Sequence, residues 1–596
     1  MYEHLLIGLA SIVILGVLAQ WIAWRTHLPA ILLLLVFGIL AGPVGGILKP
    51  DLLFGDLLFP LVSLSVAIIL FEGGLSLKID ELRKIGHVVR NLTTIAIFIT
   101  WLLAAFGAHY LAGLDLEQSI LLGAILVVSG PTVVIPLLRQ IRPIGKVGSI
   151  VKWEGIVNDP IGAILAVLVF EVIALGGLQQ GTSAAIIGAV KAAVFGGLIG
   201  LIAAAIVVLM LRRYLVPDFL QNPITLVLVV VSYAISDMIQ PESGLLTVTV
   251  MGVALTNQRY VSIHHILEFK ETLRVLLISS LFIILAARIT VPQLESFSVA
   301  NWMFVAFLIL IVRPFAVWLS TIRQNVNWRE KLFLSWMAPR GIVAAAVSAV
   351  FAIRLAEIGF SDSVALVPLT FQVIVGTVAV YGLTAPFLAR QLGLAQIKPQ
   401  GVLIAGAQAW ARNIARVLRD QGFVVAMVDS NWSNATEARR SGCQTYYNSV
   451  LSENLMADIQ LDGIGRLLAM TPNDEVNALA ALRFSEIFGR SQIYQLAPLS
   501  KKGGKLEQLM PRHLRGRYLF SEKSTYSYFQ NRMSENAVVK RTTLTDEYPY
   551  TKFRDTYGED LLLLFVITPD RTLEVCTVDT NVKPKPGDTI IALVNE

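Results

Sequence analysis

One stretch of this chain reads Glu154-Gly155-Ile156-Val157-Asn158-Asp159-Pro160, and it lies inside an apolar run over residues 150–176. An ionisable side chain at the centre of a lipid bilayer is costly, so one that persists in such a run is typical of a functional site. Glu154 and Asn158 are four residues apart and share one face of a helix, whereas Asp159 lies about 100° further round. The stretch therefore predicts a membrane helix that offers Asp159 to a cavity and Glu154 to a neighbouring helix.

Similar apolar runs fill the first two thirds of the chain and end near residue 395. Residues 1–395 contain 24 Lys and Arg and 20 Asp and Glu, whereas the remaining 201 residues contain 24 and 22. Runs of about 20 apolar residues are long enough to cross a bilayer as helices. The sequence predicts a membrane domain over 1–395, a soluble tail after it, and thirteen spans at about 4–24, 29–48, 54–77, 88–113, 118–138, 150–176, 182–211, 219–239, 243–257, 273–291, 299–320, 329–353 and 363–389.

Charges in the loops predict the orientation of these spans. With the tail in the cytoplasm, the inside loops contain 17 Lys and Arg, Arg274 among them, and the outside loops contain three. Positive charge concentrates on the cytoplasmic side of membrane proteins. We therefore expect a multi-pass protein of the plasma (inner) membrane, with the N-terminus outside and the tail in the cytoplasm.

Two predicted spans are interrupted by residues that break helices. Val128-Ser129-Gly130-Pro131-Thr132 falls within the fifth span and Pro339-Arg340-Gly341 within the twelfth. Unwound backbone is tolerated in a membrane where it lines a cavity or is buried in protein. Because the interrupted spans are seven apart, spans 1–6 and 8–13 are predicted to be inverted six-helix repeats whose broken helices cross at an ion site.

The other charges within the predicted spans have different expected roles. Glu154 and Arg340 are expected to form a structural ion pair, since pairing lowers the cost of each buried charge. Glu72, in Phe71-Glu72-Gly73-Gly74-Leu75, is left open between a hydrogen bond in the core and a place in the ion site. Four residues near span ends or on unassigned faces are expected to extend towards the membrane surface, and these are Glu171, Lys191, Asp237 and Arg313.

These motifs together resemble the cation:proton antiporter-1 family, with Ser243-Gly244-Leu245 and Gly252 in the same order. The resemblance covers most of residues 1–395. It implies a thirteen-helix fold, a homodimer, and exchange of Na⁺ or K⁺ for H⁺. It also implies that Asp159 carries the ion and the proton, that Asn158 is its partner, and that Glu154 and Arg340 are the supporting pair. A single carboxylate at this position implies electroneutral exchange.

The chemistry of Asp159 agrees with that resemblance. A desolvated carboxylate binds a proton or a metal ion but not both, so the two compete for one group. Na⁺, K⁺ and Li⁺ prefer oxygen ligands, which Asp159, Ser129, Thr132 and unwound carbonyls could supply. The chain departs from the family at Gly130, where relatives commonly have an aspartate, and this leaves open the choice between Na⁺ and K⁺.

The tail begins with the pattern of a dinucleotide-binding fold. A predicted strand ends at Gly406, a helix follows, and a second strand ends at Asp429, 23 residues later. This spacing is typical of the fold, whose glycine-rich turn approaches a pyrophosphate. Gln408 and Ala411 replace the second and third glycines. The sequence thus leaves open a regulatory nucleotide, such as NAD(H), AMP or ATP, or a scaffold without one.

The rest of the tail divides into three predicted parts. Residues 399–510 resemble the Trk-type regulatory nucleotide-binding domain, with Asn473 or Asp474 as a helix cap beside the predicted site. Residues 511–557 show no period and are predicted to be a connector. Residues 558–596 are predicted to form a small β-rich subdomain like the C-terminal part of that regulatory domain.

Composition and missing motifs weigh against other functions. Two cysteines exclude a disulfide framework, and the net charge of +6 is not concentrated in one nucleic-acid-binding patch. The sequence lacks a Thr-Val-Gly-Tyr-Gly-like filter, which argues against a ligand-gated K⁺ channel. The incomplete glycine turn argues against a membrane-tethered dehydrogenase. We expect an antiporter of Na⁺ and H⁺ with no obligatory cofactor, and the alternative is a K⁺/H⁺ antiporter controlled by a nucleotide.

Overall fold

A computed structural model describes most of the chain. The described residues are 2–26, 28–141, 143–174, 178–261, 263–291, 298–357, 365–395, 399–452, 455, 459, 461, 463–499, 515–558, 560–580 and 582–595. The chain divides into two compact units, Met1–Ala395 and Gln396–Glu596.

The first unit is entirely helical in its described part. Two π-helical turns, Leu40–Val44 and Leu308–Val312, continue α2 and join α14 to α15. The helices are α1 Tyr2–Thr26, α2 Ala30–Ile39, α3 Pro50–Phe54, α4 Leu58–Leu75, α5 Ile79–Leu92, α6 Ile95–Tyr110, α7 Leu116–Ile125, α8 Pro131–Ile141, α9 Val147–Ala174, α10 Leu178–Arg212, α11 Asp218–Ile239, α12 Ser243–Asn257, α13 His264–Ala287, α14 Val299–Phe307, α15 Arg313–Ser320, α16 Trp328–Ser335, α17 Ile342–Glu357 and α18 Leu366–Gln391.

The apolar helices of this unit match the predicted membrane spans in kind. Within the described residues, eight helices are long and apolar enough to cross a bilayer, and five shorter apolar helices have 10–17 residues. The shorter ones include α7 and α17, each of which is one half of an interrupted span. The predicted count of thirteen spans and the inverted repeats stay predictions.

The two predicted helix breaks lie where the sequence placed them, and they touch. The first separates α7 from α8 at residues 126–130, and the second separates α16 from α17 at residues 336–341. A Cβ atom added to Gly130 would lie 2.5 Å from the Cα atom of Gly341. A Cβ atom added to Gly341 would lie 2.6 Å from the Cα atom of Gly130. Only two glycines allow the backbones to cross this closely.

The second unit contains a six-stranded parallel sheet in the order β3-β2-β1-β4-β5-β6. This is the strand order of dinucleotide-binding folds. Buried apolar side chains cover both faces of the sheet. The strands are β1 Gly401–Ala405, β2 Val425–Asp429, β3 Gln444–Tyr447, β4 Ile464–Ala469, β5 Ile493–Gln495 and β6 Arg517–Tyr518, and the first helices are α19 Ala409–Asp420, α20 Trp432–Arg440 and α21 Asp474–Phe488.

A second, antiparallel sheet follows in the order β7-β10-β8-β9. Its elements are α22 Tyr526–Ser534, β7 Ala537–Thr543, α23 Tyr550–Tyr557, β8 Leu562–Ile567, β9 Leu573–Val575 and β10 Thr589–Asn595. The prediction of a connector at 511–557 is wrong for its described part, because β6 extends the parallel sheet and β7 pairs along all of β10. β7 was not recognisable in the sequence because it contains Lys540 and Arg541 among four valine and threonine residues and lies at a sheet edge, where side chains stay partly exposed.

Candidate functional site

Asp159 lies in the middle of α9 with none of its surface exposed. Neither carboxylate oxygen has a hydrogen-bond partner among the described residues. Pro160 follows it and lacks an N–H group, so the carbonyl of Ile156 loses its helical donor. Buried polar groups normally have partners, and a buried carboxylate without one is typical of a site for a proton or a cation.

The helix around Asp159 packs directly on the first break. A Cβ atom on Gly162, one turn further along α9, would lie 2.6 Å from Val128 Cγ2 and 3.0 Å from its backbone nitrogen. Since residues three apart share a helix face, Asp159 belongs to the α9 surface that meets this break. The predicted juxtaposition of carboxylate and unwound backbone therefore follows from the absence of a side chain at residue 162.

Other buried oxygens near the crossing also lack partners within the described chain. They belong to Ser129, Thr132 and Asn158. Ser129 and Asn158 line one cavity of about 10 Å³, which is about the smallest cavity that can hold one water molecule. Thr132 Oγ1 lies 3.2 Å from the position of a Cβ atom on either crossing glycine. The predicted oxygen ligands thus lie around the crossing, and Thr100, which the sequence analysis did not select, joins the cavity wall.

Arg340 supplies positive charge to the crossing. Its Nη1 atom donates to the carbonyl oxygens of Val127 and Val128 at 3.2 and 3.3 Å. These carbonyls follow the C-terminal end of α7, where a cation is favourable because helix carbonyls are left without donors. The charge of Arg340 also acts on Asp159. Arg340 therefore holds the unwound segment and partly neutralises the site.

The ion pair of Glu154 differs from the prediction. Arg313 binds it with two contacts, Nη1 to Oε1 at 2.5 Å and Nη2 to Oε2 at 2.9 Å, and both side chains are buried. Arg313 also donates to the carbonyls of Leu334 and Met337. The expected Glu154–Arg340 pair is thus corrected to Glu154–Arg313, and Arg313 does not extend to the surface.

The position of Arg313 explains why the sequence analysis wrongly expected it to extend towards the membrane surface. A π-helical turn precedes it and Pro314 follows it, so α15 begins at Arg313 in the interior. The sequence alone did not assign Arg313 to a particular face of its predicted span. The proline next to an intramembrane arginine was the available signal, since proline marks an interruption where a charge can meet free carbonyls.

Glu72 forms a separate buried pair. Its Oε1 atom accepts a hydrogen bond from Arg274 Nη1 at 2.8 Å, with both side chains less than 10% exposed. Arg274 was counted among the loop charges, and the structure corrects this. The two residues line a cavity of about 30 Å³ together with Asn222 and Thr225. None of these four lines the cavity at Ser129 and Asn158, so a place for Glu72 in the ion site stays a prediction.

Two larger cavities are each lined by residues of both α13 and α18. One of about 410 Å³ is lined by Arg274 and Ile278 of α13, by Val378 and Gly382 of α18 and by residues 133–140 of α8. The other, of about 570 Å³, is lined by Leu285 of α13 and residues 288–290 after it, by Val367 and Phe371 of α18, and by residues 345–356 of α17.

Each of these cavities lies along a helix that begins at the crossing. α8 begins at the first break and α17 begins at the second. The lining segments of α13 are about eleven residues apart, which is roughly 16 Å along a helix. Each cavity therefore borders a helix that begins at the crossing, and neither cavity is lined by Asp159.

In the tail, the first turn after β1 lies next to the end of β2, as predicted. Gly406 has φ +106°, and Ala407 N–H donates to Asp429 Oδ2 at 2.7 Å. Asn431 N–H and the Asn434 side chain donate to the same carboxylate at 2.8 and 3.1 Å. Gly406 and Asp429 are therefore brought together.

Asn473 and Asp474 have structural partners. Asn473 caps α21 by accepting from the N–H groups of Glu475 and Val476, as expected of a cap. Asp474 accepts from the N–H group of Leu499 at 3.0 Å. Their predicted contact with a nucleotide stays a prediction.

Comparison with known families decides the identity of the membrane unit. The family model "Sodium/hydrogen exchanger, transmembrane" matches residues 8–391, about two thirds of the chain. The chain belongs to the sodium/hydrogen exchanger family. A second model, the TrkA-N domain, matches residues 402–510. The predicted family is confirmed, as is its assignment to transporters rather than enzymes.

Several curated exchanger relatives are similar to this chain. A K⁺/H⁺ antiporter NhaP of Alkalimonas amylolytica is 29% identical over 55% of this chain and 57% of its own length. The K⁺/H⁺ antiporter NhaP2 of Shewanella oneidensis is 26% identical over 72% and 73%. Na⁺/H⁺ antiporter 1 of Methanocaldococcus jannaschii is 26% identical over 59% and 83%. The chain thus spans little more than half the length of the first of these relatives.

A solved structure supports the exchanger fold. The sodium proton antiporter MjNhaP1 of Methanocaldococcus jannaschii superposes with a TM-score of 0.57 at 23% identity, covering 65% of this chain and 99% of that one. The predicted fold class, a multi-pass helical antiporter domain followed by a Rossmann-like domain, is confirmed.

Proposed function

We propose that the chain exchanges a monovalent cation, Na⁺ in the first instance, for H⁺ across the membrane by alternating access. One observation carries the proposal: Asp159 is a fully buried carboxylate without a protein donor among the described residues, and it lies beside two crossed helix breaks. A carboxylate in this setting holds either a proton or a cation.

The surrounding groups support this chemistry. Oxygens of Ser129, Thr132 and Asn158 complement Asp159 as ligands, because alkali cations prefer oxygen. The pair of Glu154 and Arg313 ties α9 to the start of α15, which holds the helix that carries Asp159. By this proposal, the cavity beside α8 and the cavity beside α17 open into access routes from the two sides of the membrane during exchange.

One carboxylate that releases one proton for each cation makes the exchange electroneutral. Asn158 is neutral in both states, and the Glu154 charge is occupied by Arg313. The neighbouring Arg340 keeps its charge throughout the cycle. We therefore propose one cation for one proton.

K⁺/H⁺ exchange is the second candidate. Five of the similar relatives are named K⁺/H⁺ antiporters, whereas the two Methanocaldococcus relatives are named Na⁺/H⁺ antiporters. Gly130 leaves no carboxylate in the first break, so ligands with weaker fields surround the ion. Weaker fields favour K⁺, the ion that is easier to dehydrate.

The finer assignments belong to the same proposal. The tail contains a TrkA-N domain, a domain of nucleotide-binding type, and we assign it a regulatory role. We assign the N-terminus to the outside and the tail to the cytoplasm, an orientation that the excess of positive charge in the inside loops supports. The protein acts as a homodimer in the plasma membrane by this proposal.

Transport in proteoliposomes tests the proposal. Replacing Asp159 by Asn keeps the shape and removes the proton, so Na⁺- or K⁺-driven H⁺ efflux should fall to the level of empty vesicles. Asp218→Asn is the matched control, since Asp218 is exposed at the start of α11. Exchange by Asp159→Asn at the wild-type rate would contradict the proposal, and a rate that follows an imposed membrane potential would contradict electroneutrality.

A further inference from the structure

The turn between β1 and α19 fits a dinucleotide at three of its four diagnostic positions. Gly406 has the positive φ that the tight turn requires. Ala411, at the third position of the glycine motif, is fully buried and allows the helix to pack closely on the sheet. Asp429 ends β2, where an acidic residue binds a ribose in such folds. The strand order is also that of the fold.

The fourth position does not fit. Gln408 occupies the place of the second glycine, which is where the backbone approaches the pyrophosphate. Its Oε1 atom lies 2.9 Å from the position that a Cβ atom on Gly406 would take, so the side chain folds back over the turn. That amide oxygen is buried and has no partner among the described residues. A partly negative oxygen thus fills the space at the start of α19 that a phosphate oxygen would need.

The hydrogen-bonding groups of the turn and of the Asp429 carboxylate are already paired with one another. Ala407 N–H, a donor of the turn, is committed to Asp429 at 2.7 Å. With the bonds from Asn431 and Asn434, three of about four acceptor sites on the Asp429 carboxylate are used. The position that remains can accept one ribose hydroxyl group, so Asp429 does not itself exclude a dinucleotide.

We propose that Gln408 closes this turn to pyrophosphate-bridged dinucleotides, so that the tail does not bind NAD(H) at the place where its fold would. The inference excludes NAD(H) as an effector that binds at this turn, and it rests on the regulatory role proposed for the tail. Among the three positions of the glycine motif, Gln408 is the one that prevents dinucleotide binding, because Gly406 and Ala411 already meet the requirements of the turn.

Direct binding to the full-length protein in detergent tests this inference. NADH is titrated against the wild type, Gln408→Gly and Gln421→Gly, and binding is followed by NADH fluorescence and by equilibrium dialysis. Gln421, at the other end of α19, is the matched control. Gln408 is the N-cap residue of α19, a position where glycine costs only a few tenths of a kcal/mol relative to other caps, so Gln408→Gly should fold.

The expected result is saturable NADH binding by Gln408→Gly, at least about tenfold tighter than by the wild type or Gln421→Gly. Saturable binding by the wild type that equals or exceeds binding by Gln408→Gly would overturn the inference. Absence of binding in all three proteins would overturn the role of Gln408 as the determinant. Since transport is not measured, failure of the proposed exchange would leave these outcomes unchanged.

Discussion

Asp159 and Glu154 lie five residues apart on α9 and have opposite environments. Glu154 is held by two contacts from Arg313, whereas neither oxygen of Asp159 has a partner among the described residues. A paired carboxylate is fixed in its charged state, and an unpaired one can exchange its occupant. The contact of Glu154 with a neighbouring helix agrees with the prediction from its helix face, whereas the prediction that Asp159 faces a cavity stays a prediction. The sequence could not predict which arginine would pair with Glu154, since Arg313 and Arg340 both lie beside helix breaks.

A double-mutant cycle separates the two arginines. Arg313→Met should destabilise the protein by about 3–5 kcal/mol, because Glu154 would keep a buried charge without its partner. Glu154→Gln should remove much of that penalty. Thermal unfolding of the purified variants measures both effects, and Arg340→Met with and without Glu154→Gln is the control. A coupling of Glu154 with Arg340 larger than its coupling with Arg313 would reject the pair described here.

At the scale of secondary-structure elements, the two breaks and their crossing were predicted, but the direct contact of Gly130 with Gly341 was not. Ser-Gly-Pro and Pro-Arg-Gly are strong helix-breaking signals in a linear sequence. The approach of Gly130 to Gly341 is a long-range fact that follows from how four half-helices pack. The tail shows the converse, because β7 was missed while β1 and β2 were found. Central strands are continuous apolar runs, but an edge strand carries charged and polar residues that resemble a loop.

Adding one methyl group to the crossing tests its tightness. In Gly130→Ala the new Cβ atom would lie 2.5 Å from Gly341 Cα, so the backbones must separate. We expect a loss of stability of about 1–3 kcal/mol and a marked fall in exchange rate. The control is Gly197→Ala, where nothing lies within 4 Å and a helix should gain roughly 0.5–1 kcal/mol. Equal melting temperatures and equal exchange rates for both variants would show that the crossing is not tight.

At the scale of the whole molecule, composition alone divided the chain near residue 395, and the structure divides it at Ala395. The division was predictable because a bilayer and water select different residues over hundreds of positions. The sites within each unit were predictable only as candidates. A carboxylate and an oxygen ligand can be named from sequence, but whether a donor already occupies them depends on contacts between distant elements. The commitment of Asp429 to Ala407 is one such contact, and the freedom of Asp159 from any donor among the described residues is another.

The central claim is that one carboxylate binds a cation and a proton in turn. It is tested most directly by counting the protons released when Na⁺ or K⁺ binds to the purified protein. Calorimetric titrations in two buffers of different ionisation enthalpy give this number. We predict about one proton released per cation bound by the wild type, and neither binding nor release in Asp159→Asn. Cation binding without proton release, or the same release from Asp159→Asn, would contradict the account.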